Sequence, residues 1–230
     1  MSQVEVSDQA QYPWQSIVFI TSTYANGEVH TGSGVMVGPN DVLTASHVVY
    51  DSTTGESPVQ VTVTPAFDPS HFEAPFGSVD AVSWHYNNGF DPNGDGLIVS
   101  GNGGSGLEGV ELDAALLDLG VPLGNQTGWM GIDPTFVSGD VNLTGFPDLY
   151  GNTMMNDTGW VQDNPFDAFI DISGMEVHPG NSGGPLWYEQ NGVGYVVGLV
   201  STGVAAHDVA ASYGSLLAWM DGNDHLISAV

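Results

Sequence analysis

The sequence predicts an all-β protein that ends in a short helix, and three observations carry that reading. Short runs of β-forming residues recur between Gly, Pro, Asn and Asp turns, glycine is abundant at 32 of 230 residues, and long Ala/Leu/Glu/Lys runs are absent. Even spacing of such runs fits a sandwich or barrel rather than βαβ units.

Taken in order, the strands expected are Ser16–Thr21, Gly34–Val37, Val42–Thr44, Val59–Thr64, Ala114–Leu119, Val141–Thr144, Ala168–Ile172 and Tyr195–Ser201. Each is dominated by Val, Ile, Leu, Phe, Tyr or Thr, side chains that suit a pleated surface. Near the C-terminus the pattern changes. Leu216, Leu217 and Met220 within Tyr213–Met220 recur at helical spacing, which predicts the terminal helix. The stretch Asn87–Gly109 is rich in Gly, Asn and Asp and reads as a surface loop insertion. A soft midpoint at Gly120–Gly124 divides one domain, 1–230, into halves 1–120 and 121–230.

Charge is the most unusual property. The chain has 27 Asp and Glu, no Lys and no Arg, for a formal net charge of -27. Roughly 25 to 30 cations expected at average usage are missing, while the acidic share is ordinary. Nothing can neutralise phosphates, which argues against nucleic-acid or anionic-membrane partners. Cationic partners and divalent metal ions are favoured instead. No cysteine is present, so disulfides and thiolate metal sites are excluded. No apolar stretch reaches the ~18 residues that a membrane-crossing helix needs. A basic signal peptide is not visible in the sequence.

Three residues stand out chemically. Ser182 lies in Gly180-Asn181-Ser182-Gly183-Gly184-Pro185-Leu186. Flanking glycines clear space for an exposed Oγ and for backbone amides that could bind an oxyanion, although a glycine-rich turn has the same composition. His47 in Leu43-Thr44-Ala45-Ser46-His47-Val48-Val49 could serve as its base or sit in the core as a structural residue. Asp113 is embedded in the apolar run Val110–Leu117, where an unpaired carboxylate is costly. It could orient the base or simply begin a strand.

Together these segments, in the order His, Asp, Ser, resemble the three motifs of the chymotrypsin/trypsin-like serine proteases. Tyr12-Pro13-Trp14-Gln15 and Gly32-Ser33-Gly34-Val35 are similar to two further family segments, so the resemblance spans most of the chain. It implies two packed six-stranded antiparallel β-barrels with a cleft between them. It also implies a His47, Asp113, Ser182 triad and an oxyanion hole made by the amides of Gly180 and Ser182. Protein or peptide substrates, no catalytic cofactor, secretion and action as a monomer follow as expectations. Asn181 replaces the aspartate that in animal trypsins pairs with the newly cut N-terminus, so no trypsin-type zymogen switch is expected. With the absence of cysteine, it resembles the bacterial, glutamyl-endopeptidase-like branch.

Specificity is read from the residues beside the serine. Ser201, Thr202 and Gly203 resemble the end of the substrate-lining strand. Val200 stands where glutamyl endopeptidases resembling this chain carry a histidine, which disfavours cleavage after Glu. Glu176, six residues before Ser182, falls where trypsins place their pocket-base aspartate, and Asp208 is a second candidate carboxylate. Cleavage after Lys or Arg is therefore expected; such an enzyme, lacking both, could not cut itself. Cleavage after Glu or after small or apolar residues is the alternative, with a catalytically silent binding protein on the same fold beyond it. Finally, Asp91, Asn93 and Asp95, followed by Gly96 and the Leu97 carbonyl, match the first half of a calcium-loop pattern; the twelfth position is Asn102 rather than Glu. Calcium is the metal this pattern predicts.

Overall fold

The computed structural model describes residues 2–51, 54–71, 73–87, 89–90, 109–164 and 166–227. The predicted calcium residues Asp91, Asn93, Asp95 and Leu97 lie outside them. Fourteen strands occur among the described residues. Those of the first half are β1 (Val4–Glu5), β2 (Ile17–Thr23), β3 (Val29–Met36), β4 (Asp41–Thr44), β5 (Gln60–Pro65), β6 (Val79–Tyr86) and β7 (Ala115–Leu119). Those of the second are β8 (Gly131–Ile132), β9 (Ser138–Gly145), β10 (Met155–Gln162), β11 (Phe169–Asp171), β12 (Pro185–Gln190), β13 (Val193–Val200) and β14 (Ala205–Asp208). All eight expected strands are present. A short helical turn, α1 (Gly124–Thr127), follows the midpoint, and α2 (Val209–Asn223) follows β14, with a single helical turn, Asp224–Leu226, after it.

Strands β2-β3-β4-β7-β6-β5 form a closed barrel, each neighbouring pair antiparallel. Alternation decides what fills it. Val18 and Ile20 of β2, Met36 of β3, Val42 of β4, Val61 and Val63 of β5 and Leu117 and Leu119 of β7 form one cluster. Each such side chain contributes about 1.5–3 kcal/mol on burial. The opposite parity of β2 and β7, Ile17, Phe19 and Leu116, faces a second cluster shared with Met130, Phe146, Trp187 and Leu199 of the other half. Both faces of these strands are thus covered, as their continuous apolar runs demand.

The second half departs from the six-stranded expectation. Its sheet has eight strands in the order β1-β10-β9-β12-β13-β14-β11, with β8 added in parallel beside β13. An isolated bridge, Asp163 to Ile170, joins the end of β10 to β11, so the sheet curls toward closure without a continuous ladder there. Strand β1, from the N-terminus, pairs with β10 and therefore belongs to the second sheet. Helix α2 is longer than Tyr213–Met220 because Asp208 caps it, accepting a hydrogen bond from the Ala210 amide at 2.9 Å. Its Leu216 enters the cluster between the two halves.

The missing cations leave a structural signature. Buried carboxylates take neutral donors or histidine. Asn223 Nδ2 donates to both Asp41 and Asp118 (2.8 and 2.6 Å), tying α2 to the first barrel. Burial pushes the Asp41 carboxyl up to about 6.

Candidate active site

Strand β4 ends at Thr44 and delivers His47 in a single helical turn, Ser46–Val48. The Ser46 hydroxyl lies 3.1 and 3.0 Å from the Leu112 and Ala114 carbonyls, which fixes this turn against the segment carrying Asp113. That segment is a second single turn, Val110–Leu112, just before β7. Because β4 and β7 are paired in the barrel, His47 and Asp113 meet at one end of it. His47 Nδ1 stands 2.8 Å from Asp113 Oδ2, and the His47 amide donates to Oδ1 at 3.1 Å.

Asp113 is fully buried. Its Oδ2 also accepts a short hydrogen bond from the Ser201 hydroxyl. Burial works against the charge on Asp113, but the neighbouring imidazole and the hydrogen bonds from His47 and Ser201 outweigh it and hold the carboxyl below its ordinary range. At His47, burial likewise opposes charge. The Asp113 carboxylate overrides it through charge and hydrogen bond, and the imidazole is raised above 6.5. With Nδ1–H donated to Asp113, the lone pair is on Nε2.

Ser182 comes from the loop before β12 and shares a cleft with His47, Pro179 and Gly180. The glycines around it are required by packing. A Cβ on Gly183, whose φ is +76°, would lie 2.1 Å from Thr44 Oγ1 and 2.4 Å from the Ser33 carbonyl. At Gly180, with φ +95°, it would lie 2.4 Å from the Phe146 carbonyl. The serine loop therefore presses directly on the first barrel. Ser33 clamps the contact, donating to the Gly180 carbonyl (2.7 Å), accepting from the Phe146 amide (2.9 Å) and giving its own amide to the Ser182 carbonyl (2.8 Å).

One further bond orients the loop. The Pro179 carbonyl accepts from the Asp148 amide at 2.8 Å. Since N–H and C=O point oppositely across a trans peptide, the Gly180 N–H faces away from Asp148. Among the described residues, no protein acceptor takes the Gly180 or the Ser182 amide, while the Asn181, Gly183 and Gly184 amides are all engaged. Two donors are left beside the Ser182 side chain.

A cavity of about 300 Å³ adjoins Ser182, walled by Val177, Val200, Ser201, Thr202 and Gly203 together with His178 and Pro179. The expected residues 201–203 are there. The two expected carboxylates do not line it. Glu176 is held by the Gln3 amide at Oε2 (3.0 Å) and by Tyr150 Oη and His178 Nε2 at Oε1 (3.0 and 2.7 Å). Those hydrogen bonds, His178 foremost, keep its carboxyl below the usual range. Asp208 is spent on capping α2, and burial together with Asp163 and Asp167 pushes it up to about 6.

The family model described as trypsin matches residues 2–219. The chain belongs to the trypsin family. It is 27% identical over 192 residues to a glutamyl endopeptidase of Bacillus licheniformis, covering 81% of this chain and 52% of that protein. It is 28% identical over 159 residues to a Bacillus subtilis protein named extracellular metalloprotease, covering 66% and 45% respectively. The chain thus spans about half the length of the curated relatives it matches. Among solved structures, a Glu endopeptidase aligns with TM-score 0.74 at 18% identity, over 96% of this chain and 97% of that one. The Arthrobacter nicotinovorans protease Anisep aligns with TM-score 0.68 at 18% identity, over 91% and 98%. These likenesses show the fold of this trypsin-family chain.

Several contributors were not legible as such. Ser201 was expected as a substrate contact and also holds Asp113. Ser33 was visible inside its Gly-Ser-Gly segment without a role. Asp148 and Gln3 carry no motif: Asp148 acts through its backbone amide, and Gln3 reaches the site through the pairing of β1 with β10.

Proposed function

We propose that the chain is a secreted serine endopeptidase in which Ser182, His47 and Asp113 form the catalytic triad. The observation that carries this is the His47 Nδ1 to Asp113 Oδ2 contact at 2.8 Å, in a cleft that also holds Ser182. Ser182 Oγ attacks the substrate carbonyl carbon as its proton passes to His47 Nε2, and the new oxyanion is bound by the amides of Gly180 and Ser182. His47 then protonates the departing amine and the C–N bond breaks. Water, deprotonated by His47, cleaves the acyl ester and restores Ser182. Asp113 keeps the imidazole in the productive tautomer and stabilises its cation. Secretion is supported by the name of the Bacillus subtilis relative, extracellular metalloprotease.

For specificity, the cavity beside Ser182 favours a neutral, apolar side chain before the scissile bond. Val177 and Val200 face it, and among the described residues no carboxylate lines it. A second reading, cleavage after Lys or Arg, is supported by the net charge of -27, which concentrates cationic peptides at the surface, and by the absence of any self-cleavage site of that kind. Glu176, engaged through both oxygens by three donors, gives that reading no free partner in the cavity. Peptides differing only in the residue before the scissile bond decide between them. Highest kcat/KM for Leu, Val or Ala supports the neutral cavity, and highest kcat/KM for Lys or Arg overturns it. Highest kcat/KM for Glu would overturn both and point to His178, an imidazole on the cavity wall. No cleavage of any peptide would remove the endopeptidase reading.

A further inference from the structure

The segment 176–181 forms one wall of the specificity cavity and leads into the nucleophile, yet it is a loop that contains Gly180 and has no strand of its own. Something must hold it. On its far side lies Gln3, only 6% exposed, brought there by β1 pairing with β10 through Val4 with Asn156 and Glu5 with Met155.

Gln3 grips the wall at both ends. Its side-chain Nε2 lies 2.8 Å from the Glu176 carbonyl and 3.0 Å from Asn181 Oδ1, and its backbone amide donates to Glu176 Oε2 at 3.0 Å. Asn181 is fully buried and immediately precedes Ser182. The same Oδ1 accepts from the His178 amide at 3.0 Å, and the Asn181 amide returns a bond of 3.0 Å to the His178 carbonyl. A single carboxamide thus connects the start of the wall to the residue flanked by the two unspent amides, those of Gly180 and Ser182.

We propose that Gln3 is a positioning residue of the active site: its side-chain amide locks the 176–181 segment so that the Gly180 and Ser182 N–H groups converge on the oxyanion position. The inference rests on the endopeptidase reading above. In a chain without Lys or Arg, a neutral glutamine paired with a neutral asparagine performs this support. An ammonium paired with a carboxylate would also do so, but its grip would be lost as the amine deprotonates. The amide pair itself does not titrate. Its donors are buried, and a side chain without them leaves the Asn181 oxygen short of a partner.

The test compares Gln3→Met, which keeps length and packing but has no donor, with Gln3→Glu and Gln3→Ala, on the best peptide substrate of the wild type. Gln3→Met and Gln3→Ala should each lower kcat about 10- to 100-fold with KM changed less than threefold, because the oxyanion is formed only in the transition state. Labelling of Ser182 by an organophosphonate, whose phosphoryl oxygen occupies the same hole, should slow in parallel. Gln3→Glu should add an ionisation absent from wild type. Its kcat should fall as pH rises through the glutamate pKa, when a carboxylate faces Asn181 Oδ1 and the Glu176 carbonyl. Wild-type kcat in Gln3→Met would show that Gln3 only fills space and overturn the proposal, as would equal losses in kcat and KM. Thermal unfolding identifies a variant that does not fold, and should Gln3→Ala fail in this way the isosteric Gln3→Met decides. Wild type that neither cleaves peptides nor labels would refute the underlying endopeptidase reading instead.

Discussion

Replacing Asp113 by Asn tests the role assigned to its carboxylate most sharply, because the surroundings dictate how the new amide must sit. The His47 backbone N–H points at Oδ1, so that position must remain an oxygen; an NH2 there would oppose two donors in a fully buried site, at a cost of about 1–3 kcal/mol. The amide nitrogen therefore takes the Oδ2 position, facing His47 Nδ1 and the Ser201 hydroxyl. Ser201 can rotate to accept. His47 cannot donate from Nδ1, so its proton moves to Nε2, the atom that must receive the proton of Ser182. A base held in the wrong tautomer costs about 10⁴-fold in kcat, about 5.4 kcal/mol of barrier. Burst titration and steady-state hydrolysis of one peptide by Asp113→Asn should show this loss with KM little changed and folding intact. Retention of activity within tenfold of wild type would refute the assigned role of Asp113.

Three other outcomes follow from the same geometry. The acid limb of kcat/KM should lie above the 6.5 of an unperturbed histidine, because Asp113 raises His47 and only the neutral imidazole is a base; activity is lost as pH falls through the raised value, and a limb below 6.5 would contradict it. Gly183→Ala should unfold the protein or abolish activity, since its Cβ would meet Thr44 Oγ1 at 2.1 Å at a positive φ; calorimetry showing an unchanged Tm would be the opposite result. Asp208→Asn should stabilise the protein at pH 8. The folded carboxyl titrates at about 6 against 3.8 unfolded, so the folded state binds the extra proton, and stability falls as pH rises between the two values. Removing the charge while keeping the capping oxygen should recover about 1–3 kcal/mol at pH 8 and nothing at about pH 3, which denaturant titration at the two pH values would check.

What the sequence disclosed, and what it hid, has a physical pattern. Strands such as β2 and β7 open on apolar runs, 17–20 and 115–117, because both faces are buried there, so composition exposes them. By contrast β6, β10 and β12 were missed. Val79–Tyr86 leaves Asp80 exposed and Ser83 and His85 partly exposed, Met155–Gln162 contains Asn156, Asp157 and Gly159, and β12 opens on Pro185. Their pairing is fixed by neighbours rather than by local propensity. The proposed triad was legible because each member sits in a motif whose neighbours line the same cleft. The two candidate specificity carboxylates do not line the cavity for a complementary reason. Spacing along the chain put Glu176 beside the cavity, but which way its side chain turns is set by Gln3, Tyr150 and His178, two of them distant in sequence. Long-range hydrogen bonds of this kind leave no periodic trace.

Ser182 is the proposed nucleophile, activated by His47 and Asp113. Reaction with an organophosphonate, followed by mass spectrometry of the digested protein, tests it most directly. A single adduct on Ser182, absent in Ser182→Ala and formed far more slowly in His47→Ala, is the predicted result. No adduct on a folded protein, or an adduct elsewhere with Ser182 unmodified, would contradict it.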